Sequence, residues 1–322
     1  MLVLATVLAF VVAPVFSRSD SVSASEGQGI VRASLSAGTT REVPIPRVGP
    51  APPTRAASTI ERRDVIGVVS MNEFSTLSVS QARADAERVT SNAGVDVVGW
   101  QEAQHFGSVF ASLRQRGWDT KSFPHGAKEL AVSWRRSKFE YVSSSSRLVA
   151  WGVDQRTGRY PFGNRYIVRV TLRHRPTGWL LSVINTHLPH KAEDRDHPGH
   201  WTTTSNAARA RFQLERMRKE WEQAPGRWVV GTGDYNFDAV ADRRVRLPKA
   251  PWSALAPVAL SSYAVLGARG LRPTHPPTGR YIDYVHAAKA DLRTGTLRFL
   301  GHRTITGLNT DHNALLARLV LR

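Results

Sequence analysis

The sequence predicts an α/β fold with two mixed β-sheets packed face to face and helices on the outside. Three observations carry this expectation. Apolar, β-branched runs of strand length recur from residue 64 to the C-terminus. Helical patterns fall between some of them, as strand–helix–strand units require, while the turn "RPTG" joins two others as a hairpin, so parallel and antiparallel pairs are both expected. That many apolar strands are more than one sheet with a wet face can bury, and two sheets with helices outside would cover them.

The elements follow in order. "DVIGVVSMNEF" is a β-branched run that ends in polar residues. "SVSQARADAERVTSNAG" opens on a serine cap candidate, continues in helix formers and closes on a glycine. "VDVVGWQEA" is a second buried strand with a polar end, and "FGSVFASLRQRG" a short amphipathic helix. "ELAVSWRR", "RYIVRVTLRH" and "WLLSVINTHL" are strands, the last two forming the hairpin. "SNAARARFQLERMRKEWEQAPG" is the longest helix, and the strand "RWVVGTGDYN" follows it. "YIDYVHAA", "LRFLGHRTI" and "NALLARLVL" complete the set. No internal repeat is visible.

The chain has 322 residues, is 41% hydrophobic and carries nine Trp, enough to bury one large core or two modest ones. Cysteine is absent, which excludes disulfides, cysteine nucleophiles and thiolate metal sites together. Net charge is +18. Five Arg against three acidic residues leave +2 in residues 1–60, so +16 lies from residue 61 onward. Such an excess favours a polyanionic partner, nucleic acid or an anionic membrane surface. Of the 44 basic residues 37 are Arg, so a biased base composition is a competing source of the charge.

"MLVLATVLAFVVAPVFS" is apolar from Leu2 to Phe16, short for a membrane span and suited to a signal-peptide core, although no Lys or Arg precedes it. We expect residues 1–17 to be a signal peptide or N-terminal anchor, with a buried first helix as the alternative. "APVFS" is a poor small-x-small cleavage site, so cleavage stays open. Residues 18–60, rich in Ser, Ala, Pro and Gly, read as a disordered tether, and 61–322 as the catalytic domain. The expected location is secreted or membrane-anchored outside the cytoplasm.

The recurring event along the domain is an apolar strand that ends in a carboxylate, amide or histidine. "SMNEF" supplies Asn72, "GWQEA" Glu102, "INTHL" Asn185 and His187, and "GTGDYN" Asp234 and Asn236. "YIDYV" supplies Asp283 and "NTDHNALL" Asp311 and His312. Singly, strand-end Asn and Asp are ordinary turn residues. Six such endings on one rim would gather hard oxygen ligands suited to Mg²⁺ or Mn²⁺, with Ca²⁺ admissible, beside His and Asp suited to proton transfer.

In these motifs the sequence resembles the endonuclease/exonuclease/phosphatase superfamily, which includes the pancreatic-type deoxyribonucleases. The resemblance spans roughly Asp64 to Arg322, with "SMN", "WQEA", "NTHL", "GTGDYN", "IDYV" and "TDHNAL" in the family's order. It implies a four-layered α/β sandwich with two central mixed β-sheets flanked by helices. By position it makes Glu102 the main ligand of a divalent cation, with Asn72 and Asp311 near it. Asp234 then positions or deprotonates the attacking water, Asn236 holds the phosphate or that water, and His187 and His312 flank the phosphate. Asp283 is the implied partner of His312. Glu129, in "AKELAVSWRR", matches the glutamate that partners the other histidine, here His187, with a solvated strand-start Glu as the alternative. Arg165 stands where such nucleases place a phosphate-contacting arginine, with a generic exposed Arg as the alternative. Asn185 is read as substrate-binding. Thr310 replaces the usual Ser before Asp311 and keeps the hydroxyl.

The loop "PHKAEDRDHPGHW" is longer and more charged than the family pattern; its His190, Glu193, Asp196, His197 and His200 form either a second metal site or a solvated substrate-side loop. "RPTHPPTGRYIDY" shapes the approach to Asp283, and its His275 could face the cleft. The expected function is an exported, metal-dependent phosphodiesterase acting on nucleic acid, as a monomer with no obligate protein partner. The alternatives are a sphingomyelinase-like enzyme acting on phospholipid headgroups, a small phosphomonoesterase, and a catalytically dead binding module. The lipid reading wants an exposed apolar hairpin, for which "SALAPVALSSYAVLG" is the candidate, although it reads more as core. His187 and export both argue against the abasic-site repair branch.

Overall fold

The computed structural model describes residues 65–152 and 163–322. The expected leader (1–17) and tether (18–60) lie outside the described residues.

The chain forms two six-stranded sheets. The first contains β1 (Val65–Asn72), β2 (Val97–Gln101), β3 (Trp118–Ser122), β4 (Ala131–Arg135), β11 (Leu297–Ile305) and β12 (Ala314–Leu321), in the order β11-β12-β1-β2-β4-β3. The second contains β5 (Phe139–Ala150), β6 (Arg165–His174), β7 (Leu180–His187), β8 (Trp228–Asp234), β9 (Ala259–Ser261) and β10 (Asp283–Ala288), in the order β5-β6-β7-β8-β10-β9. Each sheet is mixed: β1–β2 and β7–β8 are parallel, and the other pairs are antiparallel.

Period-2 alternation sorts the strand side chains into layers. Ile66 and Val68 from the first sheet meet Val168, Val183 and Val285 from the second in one buried cluster between the sheets. Val69, Met71, Val98 and Trp100 point the other way and pack under α1 (Val79–Ser91) and α2 (Gly107–Gln115). The outer face of the second sheet is covered by α3 (Ser205–Gln223), whose Ala207, Ala210, Leu214, Met217 and Trp221 recur at helical spacing and are buried. Helices outside two packed sheets give the four-layered α/β sandwich that the motif order implied.

Local signals explain the boundaries. Ser78 caps α1 in a reciprocal capping box with Gln81. The glycines of "VVGTG" do not end their strand. Gly231 and Gly233 lie inside β8, where an added Cβ would sit 2.5 Å from the Trp221 ring and 2.5 Å from the Thr186 carbonyl. They permit close packing of α3 and β7 rather than a turn. The chain leaves the strand after Asp234, and Asn236 takes a left-handed φ of 48°.

β3 and β5 are strands the sequence did not reveal. Both are sheet edges, and β5, with its run Ser143–Ser146, is mostly exposed, so neither shows a buried apolar face. Four short helices, α4 (Ala239–Val245), α5 (Pro251–Leu255), α6 (Ser262–Leu266) and α7 (Lys289–Thr294), are too brief for periodicity to register. The segment weighed as a membrane-contact hairpin becomes α5, β9 and α6, with Leu255, Ala259 and Tyr263 in the core. Among the described residues, no helix is long and apolar enough to cross a membrane.

Candidate active site

Strand alternation also sets the site. Residues two apart share a face, so the inward positions of β7 run Val183, Asn185, His187, and those of β8 run Val230, Thr232, Asp234. The last inward residue of each strand emerges at the rim between the sheets. Register aligns these ends: His187 lies beside Asp234, Asp283 opposite Asp234, and Asn72 beside Gln101, which precedes Glu102. The turn between β11 and β12 adds Asp311 and His312. It is tied down by Thr310 Oγ1 donating to the Asn72 carbonyl (3.0 Å) and by buried Asp85 accepting from the Asn309 and Thr310 amides.

The centre is Asp234, flanked by two imidazoles. His187 Nε2 lies 3.4 Å and His312 Nε2 3.8 Å from Asp234 Oδ2. Each ring is held from behind by a second carboxylate: His187 Nδ1 is 3.1 Å from Glu129 Oε2, and His312 Nδ1 is 2.8 Å from Asp283 Oδ2. Arg165 pairs with Glu129 on the same oxygen. Glu129 and Arg165 therefore join this cluster of side chains and are not solvated surface.

Charge pairing dominates the protonation of these groups. Burial and Arg165 press His187 down, yet Glu129 and Asp234 outweigh them and raise it from 6.5 to about 9. Burial likewise opposes the charge on His312, but Asp283 first, then Asp234 and Asp311, carry it to about 10. Burial pushes Glu129 up, and Arg165 and His187 override it to about 2. Asp234 is held well below the usual carboxylate range by His187 and His312 against its own burial. At neutral pH the site thus holds an ionised Asp234 between two imidazolium rings.

Asn236 follows through the turn. Its amide nitrogen donates to Asp234 Oδ1 (2.7 Å), and its side chain donates to the Leu188 carbonyl (3.1 Å) and lies 3.4 Å from Asp234 Oδ2. Asp234 and Asn236 share one side through this turn, not through an extended strand.

The hard-cation ligands expected from sequence fit only in part. Glu102 has φ 55°, a left-handed conformation uncommon for Glu, and its carboxylate accepts from the Ser75 amide (3.0 Å). It lines a cleft of about 860 Å³ together with Glu129, Arg165, Tyr166 and His187. Glu102 offers a hard carboxylate of the kind a hydrated Mg²⁺ takes, whereas the two oxygens of Asp311 face His275 and His312. Asn72 differs from its expected role as a ligand. Its amide nitrogen donates to Glu102 Oε1 (3.3 Å) and Asp234 Oδ2 (3.0 Å), while its oxygen accepts from the Phe74 amide (2.9 Å). It orients the two carboxylates instead of presenting oxygen to a cation.

Asn185 is a clear correction. One step deeper than His187 on the same face, it is fully buried between the sheets and does not reach the cleft. Its nitrogen donates to the Trp100 (2.8 Å) and Ala131 (3.1 Å) carbonyls, and its oxygen accepts from Gln101 (2.7 Å) and Thr232 (3.0 Å). All four of its hydrogen-bonding positions are used, so it bolts the sheets together and has nothing left for substrate. Asn185→Leu would take a hydrogen-bond partner from four buried groups, of which Gln101 keeps its bond to the Gly99 carbonyl, and each group left unpaired costs about 1–3 kcal/mol. We expect a loss of several kcal/mol in urea unfolding, and a change below 1 kcal/mol would contradict this role.

The charged loop does not assemble a metal site. Among the described residues, the His, Asp and Glu side chains that come together as a three-ligand set are His275, Asp311 and His312, and the loop contributes none. Glu193 is instead buried, accepting from the Gly199 (2.7 Å) and Asp238 (2.9 Å) amides and pairing with Arg280. Arg280 also donates to the Asn236 carbonyl (3.1 Å), so this pair steadies the turn that carries Asn236. Sequence reasoning missed Arg280, and its only cue was its place two residues before "IDY". His190 was read with the loop, but burial, Arg165 and His187 lower it to about 4, so its ring is neutral at physiological pH.

No protein-family model matches the sequence, and no curated relative matches it either. Solved structures do. An endonuclease/exonuclease/phosphatase protein from Bacteroides vulgatus aligns at TM-score 0.56 and 15% identity, covering 80% of this chain and 99% of that one. D. rerio TDP2 complexed with single-strand DNA product aligns at 0.55 and 14%, covering 79% and 98%. The mannosyl-6-phosphatase Bt3783 of Bacteroides thetaiotaomicron aligns at 0.52 and 15%, covering 80% and 100%. Two six-stranded mixed sheets, helices outside them and whole-domain superposition on these structures establish that the chain has the fold of the endonuclease/exonuclease/phosphatase superfamily.

Proposed function

We propose that the chain is a divalent-metal-dependent phosphoester hydrolase, exported from the cytoplasm, whose substrate is the phosphodiester backbone of nucleic acid. One observation carries the hydrolase reading: Asp234 lies between the His187 and His312 rings, each backed by its own carboxylate. The two cationic rings suit a phosphate between them and favour the charge that develops in phosphoryl transfer. Asp234 orients a water and accepts its proton, with Asn236 and Asn72 fixing the carboxylate. His187 or His312 hands a proton to the leaving oxygen, and Glu129 and Asp283 keep the rings protonated for that task. A divalent cation held at Glu102 would supply Lewis-acid polarisation of a phosphoryl oxygen.

Nucleic acid is favoured over other esters by the +16 on residues 61–322 and by Arg165 in the cleft wall. The fold by itself permits several substrates: TDP2 is described with a DNA product and Bt3783 as a sugar phosphatase. The reading needs no partner chain and treats the enzyme as a monomer. Export rests on the apolar run Leu2–Phe16.

The test is nicking of supercoiled plasmid in Mg²⁺, with EDTA as control, using the extracytoplasmic and cytoplasmic fractions of cells expressing the full chain. Nicking is expected outside the cytoplasm, abolished by EDTA, and reduced by orders of magnitude between about 50 and 200 mM salt if several phosphates are contacted. Cytoplasmic activity alone would overturn export. A folded protein that cleaves choline-headgroup lipid or sugar phosphate but not plasmid would overturn the nuclease reading.

A further inference from the structure

His275 has no part in the chemistry above, yet it faces two residues that do. Its Nε2 lies 3.4 Å from Asp311 Oδ2, and His312 Nε2 lies 3.9 Å from Asp311 Oδ1. One ligand atom from each of the three residues falls within 4.8 Å of the others, and the two rings meet edge to face at 5.0 Å. Donor atoms around a tetrahedral zinc ion are about 3.3 Å apart, so the trio lies within a small rotation of closing on one cation.

The second observation is how the rings are held. His312 Nδ1 is fixed by Asp283 Oδ2 at 2.8 Å, and His275 Nδ1 by Thr278 Oγ1 at 2.7 Å. Both imidazoles therefore present Nε2 to the same carboxylate, with Nδ1 anchored from behind. That is the outer-shell pattern of metal-ligating histidines, which fixes ring orientation and raises ligand basicity. His275 also sits on a stiff support: the turn Pro276–Thr278 follows it, and its amide nitrogen donates to the Arg280 carbonyl at 2.9 Å.

We propose that His275, Asp311 and His312 form a binding site for a borderline divalent cation, zinc above others, beside the hard-cation position at Glu102. Two imidazoles and a carboxylate favour zinc and its neighbours, whereas Mg²⁺ seeks oxygen and belongs with Glu102. Asp311 turns one oxygen toward each histidine, Oδ2 to His275 and Oδ1 to His312. The consequence for activity rests on the hydrolase reading: a cation on His312 Nε2 takes the place of that ring's proton, so zinc inhibits.

The binding test needs no turnover. Co²⁺, a spectroscopic stand-in for zinc, is titrated into the purified full chain as wild type, Glu102→Gln, His275→Ala and His275→Phe. One equivalent is expected to give visible d–d absorption in wild type and Glu102→Gln, displaced by Zn²⁺ and unmoved by excess Mg²⁺. Both His275 variants should lose the bands and weaken Zn²⁺ binding by about 100-fold or more, with near-ultraviolet circular dichroism confirming that they fold. Bands that persist without His275, that vanish with Glu102→Gln, or that never form would each overturn the site. Failure of plasmid cleavage would leave this readout untouched, so the two proposals fall separately.

Discussion

Asp234→Asn is expected to lower metal-dependent turnover by about 10³-fold, within the range that general acid–base groups supply, while leaving the fold intact. The substitution keeps the shape of the side chain and an oxygen for the Asn236 amide, now 2.7 Å from Oδ1. What it removes is the charge between His187 and His312. A neutral amide cannot take a proton from water, so the loss should fall on kcat, with KM nearly unchanged. The variant should still fold, because Glu129 and Asp283 back the two rings, but with some loss of stability from the charge pairing that Asp234 no longer supplies. A second signature follows from the charge. Asp234 helps to raise both histidines, so any residual activity should lose its protonated donors at lower pH than the wild type, in which those groups titrate near 9 and 10. The measurement is plasmid cleavage against pH at saturating Mg²⁺. Wild-type turnover in a folded Asp234→Asn protein would remove this residue from the mechanism.

Much of this site was legible because strand geometry converts sequence position into spatial position. Asn72, Glu102, His187 and Asp234 each stand at or just past the polar end of an apolar run, and the parallel pairs β1–β2 and β7–β8 bring those ends to one rim, where Asp283 opens the antiparallel strand β10. The same geometry, applied one step further, would have corrected Asn185. It shares the inward face with His187 but lies two residues deeper, where a buried amide has to satisfy the opposite sheet before anything else. Other features leave no such trace. The bond from Arg280 to the Asn236 carbonyl and the meeting of His275 with Asp311 join segments 44 and 36 residues apart, through loops whose path only the folded chain defines. Glu193 looked like a ligand because its loop is charged; its role follows from the buried amides of Gly199 and Asp238 that it satisfies. β5 escaped detection for a different reason: an edge strand needs no buried stripe, and its serines are what such an edge tolerates.

Asp283→Ala should be the most destabilising single change at the site. Asp283 is fully buried and its partner His312 is 5% exposed, so removing the carboxylate strands an imidazolium in the interior. Breaking a buried pair in this way costs about 3–5 kcal/mol. The pH dependence identifies the cause. His312 is raised in the folded protein, from 6.5 to about 10, so its contribution is fully present below about pH 6.5 and is lost as pH rises through 10. Removing Asp283 removes most of what raises that ring. The gap between wild type and variant in denaturant unfolding should therefore be widest near pH 6 and narrow toward pH 10. Part of the loss in the Ala variant comes from the space left behind, which does not titrate. Asp283→Asn separates the two effects: it fills the space and can still accept from His312 Nδ1, so it should recover the constant part of the loss but not the pH-dependent part. A gap of equal size at pH 6 and pH 10 in both variants would mean that Asp283 supports the fold by packing alone, and that His312 does not owe its proton to this carboxylate.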